Sequence, residues 1–159
     1  MPRPTDVGVG TAVAIERPDG RVLLGLRRGA HGAGTWSFPG GWMDREDESI
    51  DAAARREALE EAGIDLPETA RLLENTVDFP DRGFRTVTLF RHVRLLYDPE
   101  AQLREPDKCE WWAWHNPADP PSPLFGGVGE ALREIARMQR ERETIKGLLW
   151  FRDQIRSSR

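Results

Sequence analysis

Between Ser49 and Gly63 the chain dictates its own conformation. Ser49 is a helix-capping residue, alanines stand at 52, 53, 54, 58 and 62, and Gly63 followed by apolar Ile64 is a left-handed helix stop. A helix over Ile50–Ala62 follows. On a 3.6-residue repeat Glu57, Glu60 and Glu61 fall within an arc of roughly 100°. Ile50, Ala53 and Ala54 share their side, while Ala52 and Leu59 point away, so the acids interrupt a face that is not a wholly polar outer surface. Stacked like charges are tolerated where water screens them or a cation neutralises them.

The charge of the whole chain leads to the same segment. The net charge is -4, from 23 basic and 27 acidic residues. From Asp44 to Glu61 eight acids face three arginines, an excess of five, so the remaining residues sum to +1. No global basic field gathers nucleic acid backbones, which excludes a protein that coats a duplex. At 159 residues a single domain spanning 1–159 is expected. Cys109 is the lone cysteine, which excludes an intramolecular disulfide and suits a reducing cytoplasm. No run approaches the length of a membrane span and the N-terminus lacks a signal-peptide core, so a soluble cytoplasmic protein is expected.

Other elements follow from pattern. Val7 to Ile15 and Arg21 to Leu26, separated by Pro18-Asp19-Gly20, read as a β-hairpin. Arg27 to Gly34 holds three glycines and two arginines and reads as a loop able to lie against a phosphate. Trp36 to Phe38 reads as a short strand ended by Pro39-Gly40-Gly41, where a backbone can approach a ligand closely. Strands are expected at Ala70 to Phe79 and Arg85 to Leu96, with a turn at Pro80, Asp81 and Gly83. A further strand is expected at Glu110 to His115, with Trp112 and Trp114 on one face and Trp111 on the other. Gly129 to Arg142 and Thr144 to Arg156 read as two amphipathic helices, giving one sheet-centred α/β domain.

Three hard oxygen donors on one helix face, beside a Gly-Gly turn, suit an octahedral Mg²⁺, or Mn²⁺, that keeps positions for water and phosphate oxygens. Arg56 is placed to orient a carboxylate. Arg27 and Arg28 are candidate phosphate contacts, with ordinary surface arginines as the alternative. Of Trp36, Trp42, Trp111, Trp112 and Trp114, one or two are expected to touch substrate and the rest to fill the core. His31 and His92 show no partner pattern and are expected to be structural or solvent-facing.

Gly41, six residues, Glu48, seven residues, then Arg56-Glu57-Ala58-Leu59-Glu60-Glu61-Ala62-Gly63-Ile64 resembles the Nudix box of the Nudix hydrolases, with one residue more than the pattern between its glycine and first glutamate. The surrounding stretches Val22 to Gly29, Gly34 to Gly41 and Glu105 to Trp114 are similar to a MutT-like subgroup, and the likeness spans about Val7 to Leu132. Arg133 to Arg159 stands outside it as a helical extension. The resemblance implies an α/β/α sandwich around a mixed sheet and Mg²⁺-dependent hydrolysis of a nucleoside triphosphate or related diphosphate. It also implies a homodimer acting on a small nucleotide rather than a polymer or a membrane. By the same resemblance Glu57, Glu60 and Glu61 bind metal with the Gly40 carbonyl. A distal acid, Glu110 or Glu105, joins them, and Arg56 pairs with Glu48 in support beside Gly41. The alternatives are the same chemistry on ADP-ribose, a nucleotide sugar or a prenyl diphosphate, and a nucleotide sensor without turnover.

Overall fold

Alternation along the strands shows how the chain is layered. The computed structural model describes residues 7–68, 71–77 and 85–157. Strand β1 (Val7–Glu16) sends Ala12 and Ala14 to one face and Val13 and Ile15 to the other; β2 (Val22–Arg27) divides Val22 and Leu24 from Leu23 in the same way. Both faces are covered, which is why these strands read as continuous apolar runs. On one face helix α1 (Ile50–Ala62) packs Ala54, Ala58 and Ala62; on the other, α2 (Val128–Ser157) packs Val128, Ala131, Leu132 and Ile135. The α/β/α sandwich implied by the resemblance is the architecture found.

The remaining strands are β3 (Trp36–Ser37), β4 (Gly40–Trp42), β5 (Arg71–Val77), β6 (Arg85–Arg94) and β7 (Cys109–His115). The seven strands form one mixed sheet in the order β3-β2-β1-β6-β5, with β4 beside β1 and β7 beside β2. β1 runs parallel to β6 from Val7↔Arg85 to Glu16↔Arg94, and the other pairings are antiparallel.

Two expectations change. The β1–β2 hairpin pairs only at its base, Glu16↔Val22, closed by the Arg17 N–H to Arg21 carbonyl bond and Gly20 at φ 87°. Beyond that the strands part, because the same edge of β1 is taken by the Pro39 carbonyl, which accepts from the Val13 N–H, and by β4. The two C-terminal helices are one. No proline interrupts them, and Thr144 donates its hydroxyl back to the Arg140 carbonyl instead of capping a new start. The predicted turn at Pro80, Asp81 and Gly83 lies outside the described residues. None of the described helices is long and apolar enough to cross a membrane.

Candidate active site

Helix α1 is fixed at both ends as its sequence dictates. Ser49 Oγ accepts from the Ala52 N–H, and Gly63, at φ 68°, returns its N–H to the last turn while the Ile64 N–H reaches the Ala58 carbonyl. The alanine stripe lets the helix approach the sheet closely, and this brings the acids under β4. Glu57 is only 6% exposed. A side chain at Gly41 would put its Cβ 2.5 Å from Glu57 Oε1, and one at Gly40 would strike the backbone of Thr11. The Gly40 N–H donates to Glu61 Oε2 at 3.0 Å. Both glycines are therefore required by close approach, one to the carboxylate and one to β1.

Arg56 organises the remaining acids. Its Nη1 donates to Glu57 Oε1 at 2.9 Å and to Glu60 Oε2 at 3.1 Å. Nε and Nη2 clasp Asp47 at 3.0 and 2.8 Å, and Nη2 also reaches the Trp42 carbonyl at 3.0 Å. The expected Arg56–Glu48 pair is thus replaced by Arg56–Asp47, and Glu48 is exposed. Five residues separate Gly41 from Asp47, so the extra residue falls between the acid and the helix cap. That spacing was the available signal for Asp47.

Glu110 also stands elsewhere than expected. In β7 the pairs Gly25↔Trp112 and Arg27↔Cys109 leave Leu26 opposite both Glu110 and Trp111, a bulge that turns the two to solvent. Glu105, the other distal acid, is half-buried and pairs with Lys108 at 2.9 Å. Trp111 meets Trp36 edge to face on the outer side, while Trp112 and Trp114 pack toward α1 as the alternation implied.

Burial pushes the Glu61 carboxyl up to about 7, with Glu57 and Glu105 adding like-charge repulsion against the Gly40 N–H. Burial also raises Glu57, opposed by Arg56. Asp47 is held below its ordinary value by the Arg56 guanidinium. Glu105 raises Lys108. Among the described residues no three carboxylate, imidazole or thiol groups stand together in ligand geometry, because Glu57 and Glu60 accept from Arg56 and Glu61 from Gly40. The donor chemistry still fits a hard divalent cation: three carboxylates share one face, and for two of them burial opposes ionisation, a cost that a cation removes.

These acids line a cavity of about 580 Å³ whose wall also carries Arg27, Arg28, Arg56 and Lys108. A second cavity, about 410 Å³, is lined by Phe38, Phe90 and Phe125 and by Thr11, Thr86 and Thr88. The two share Arg27, His31, Ser37, Phe38, Gly40, Gly41 and Trp42. Arg27 stands at the junction, its guanidinium 4.3 Å from the Phe125 ring centre and its Nε donating to the His31 carbonyl, and burial lowers its pKa. Arg28 is exposed and tied to the Pro106 carbonyl. Of the five tryptophans weighed as substrate contacts, Trp42 lines both cavities and Trp112 the acidic one.

Sequence reasoning missed several lining residues. His31 sits edge to face with Phe125 at 5.2 Å. Thr86 and Thr88 alternate with Val87 and Leu89 ahead of core residue Phe90, and that period of two was the signal for a shared face. His92, expected to be structural or solvent-facing, is structural: it is buried and bonded to Glu16 at 2.7 Å.

A family model described as NUDIX domain matches residues 6–135. An RNA pyrophosphohydrolase of Caulobacter vibrioides is 33% identical over 138 residues, covering 76% of this chain and 80% of that protein. An oxidized purine nucleoside triphosphate hydrolase of Danio rerio is 48% identical over 54 residues, 34% of this chain and 33% of that protein. Among solved structures, a MutT NUDIX hydrolase from Burkholderia pseudomallei is similar at a TM-score of 0.71 and 37% identity, covering 80% of this chain and 97% of that one. The NUDIX domain of Shewanella oneidensis NrtR, complexed with ADP ribose, shares the fold at a TM-score of 0.67 and 22% identity, covering 86% and 89%. The acid helix under a Gly-Gly strand, the α/β/α frame and these likenesses converge: the chain belongs to the Nudix hydrolases, in their MutT-like branch, enzymes that hydrolyse phosphoanhydride bonds.

Proposed function

We propose that this chain is a Mg²⁺-dependent pyrophosphohydrolase, with Mn²⁺ as an alternative ion, that cleaves a nucleoside triphosphate or a related nucleoside diphosphate compound by attack of water on phosphorus. The observation that carries this reading is the junction of the two cavities. One chamber offers carboxylates and four basic groups; the other is lined by aromatic rings and threonines, and Arg27 stands between them. A ligand with a polyanionic end and a ring end matches that division of chemistry. Two relatives support phosphoanhydride hydrolysis, an RNA pyrophosphohydrolase of Caulobacter vibrioides and an oxidized purine nucleoside triphosphate hydrolase of Danio rerio, and the second of them supports a nucleoside triphosphate as substrate.

When bound, the cation lowers the pKa of a water and neutralises phosphate charge. Glu57, Glu60 and Glu61 would hold it, and Glu57 or Glu60 would take the proton from the attacking water. These two carboxylates accept from one Arg56 nitrogen, which orients both toward the same side of the helix. Arg27, Arg28 and Lys108 orient the phosphates and offset the charge of the departing group. Trp42 and Phe125 supply ring faces for the base.

Product analysis across nucleoside triphosphates, ADP-ribose, nucleotide sugars and prenyl diphosphates, with Mg²⁺ in ¹⁸O water, tests the reading. Turnover of a nucleoside triphosphate with label in one phosphorylated product is expected. Turnover confined to one of the other classes moves the substrate assignment, and tight nucleotide binding without turnover makes the chain a sensor.

A further inference from the structure

Strand β6 brings two threonines to the chamber of aromatic rings. Thr86, Thr88 and Phe90 alternate onto one face of the sheet, and Phe90 packs there with Phe38 and Val128, so the threonines stand on the α2 side. Beside them in the parallel register are Gly8, Gly10 and Ala12 of β1, a row almost without side chains. The Trp42 ring lies across Gly8, where a Cβ would strike it. Thr88 Oγ1 stands 3.6 Å from the point that a Cβ on Gly10 would occupy, over the space the glycine leaves open.

The hydroxyls around this chamber divide into two kinds. Thr11 donates to the Leu89 carbonyl at 3.2 Å and Ser37 to the Phe38 carbonyl at 3.1 Å, so these two are committed within the fold. Thr86 is only 7% exposed, yet among the described residues neither its hydroxyl nor that of Thr88 has a hydrogen-bond partner. A buried hydroxyl left unbonded is costly, and this pair is completed by what enters the chamber. No carboxylate or carboxamide stands among the described lining residues. Arg27, which can only donate, is held over the Phe125 ring with its Nε on the His31 carbonyl, at the junction with the acidic chamber.

We propose that Thr86 and Thr88 read the edge of the substrate's base, and that the enzyme in consequence takes amino-edged and keto-edged bases alike. The inference rests on the assignment of the substrate as a nucleoside triphosphate. Where adenine and cytosine carry an amino group, guanine and thymine carry a carbonyl. A carboxylate only accepts and selects the first class; a guanidinium only donates and selects the second. A hydroxyl rotates to do either. Phe38, Phe90 and Phe125 meanwhile hold the ring by contacts that do not depend on its substituents. Strong rejection needs a polar group that the wrong ligand leaves unpaired, and neither class leaves these hydroxyls unpaired.

Steady-state kinetics with Mg²⁺ on ATP against ITP and on CTP against UTP, in the ribo and deoxy series, tests the proposal, because the members of each pair differ only at that edge. Within each pair that is turned over, kcat/KM values within about tenfold of each other are expected. T86V/T88V keeps the shape and removes both hydroxyls, so KM is expected to rise about tenfold or more for every base, with a smaller change in kcat. T86S/T88S, which keeps the hydroxyls, is expected to return KM to within about threefold of wild type. The Tm of T86V/T88V is expected to hold or rise, since no described bond is lost; a merely structural role predicts a fall in Tm without the rise in KM. A difference beyond tenfold inside a pair overturns the proposal, because a fixed donor or acceptor then reads the base, and so does a wild-type KM in T86V/T88V. Turnover of none of these nucleotides by the wild type is a separate result: it overturns the nucleoside triphosphate assignment, and this inference with it.

Discussion

Glu57 has two neighbours that leave it little freedom, Arg56 on its carboxylate and Gly41 above it. Glu57→Gln and Glu60→Gln are each expected to lower kcat at least about a hundredfold, roughly 2.7 kcal/mol of barrier, with circular dichroism unchanged. Wild-type turnover by both variants contradicts the assigned roles. Gly41→Ala places carbon 2.5 Å from a buried carboxylate oxygen that must move, so kcat is expected to fall while the fold persists. Asp47 and Glu48 separate the observed from the expected support of Arg56. Asp47→Asn removes the charge that Arg56 clasps and is expected to cost about 1 kcal/mol, about 3 °C in Tm. Glu48→Gln, at an exposed position, is expected to leave Tm and kcat unchanged. Equal effects from the two variants contradict the Arg56–Asp47 assignment.

At the scale of elements, the end of β1 and the middle of α2 are joined by a buried charge. Glu16, 1% exposed, accepts from His92, Gln139 and Arg142. Burial opposes its ionisation, but the bonds from His92 and Arg142 outweigh it and hold the carboxyl below its ordinary value of 4.5. A carboxyl lowered on folding contributes stability that is present above its unfolded value and is lost as pH falls through the folded one. Glu16→Gln is therefore expected to cost about 3 kcal/mol at pH 7, and its Tm deficit should shrink as pH drops below about 4.5. A deficit constant to pH 3 contradicts this. The element scale also shows what a sequence conceals. Helix α1 was legible from end to end because Ser49, the alanines and Gly63 act locally. The splayed hairpin was not, since it depends on which distant segment takes the edge of β1. Likewise Arg56 finds Asp47 rather than Glu48 because of how the 42–48 segment folds back, and Glu110 is turned out by a bulge whose cause lies in the pairing with β2. The acids and glycines of the site were readable from spacing, whereas the threonine-lined chamber needed the sheet order to assemble it.

For the whole molecule, the net charge of -4 is a local property. Five excess negative charges sit in 18 residues around α1, and the remainder is close to neutral. Their repulsion, added to the burial that raises Glu57 and Glu61, stores a cost that a divalent cation relieves. Binding to the folded state alone stabilises by about 2.7 kcal/mol at a hundredfold excess over Kd, several degrees in Tm for a chain of this size. The most direct measurement is the Tm of the wild type and of Glu57→Gln/Glu61→Gln with and without Mg²⁺ at constant ionic strength. A rise of several degrees in the wild type that disappears in the double variant is expected; an equal rise in both, or none in either, contradicts the assignment of the helix acids as the metal site.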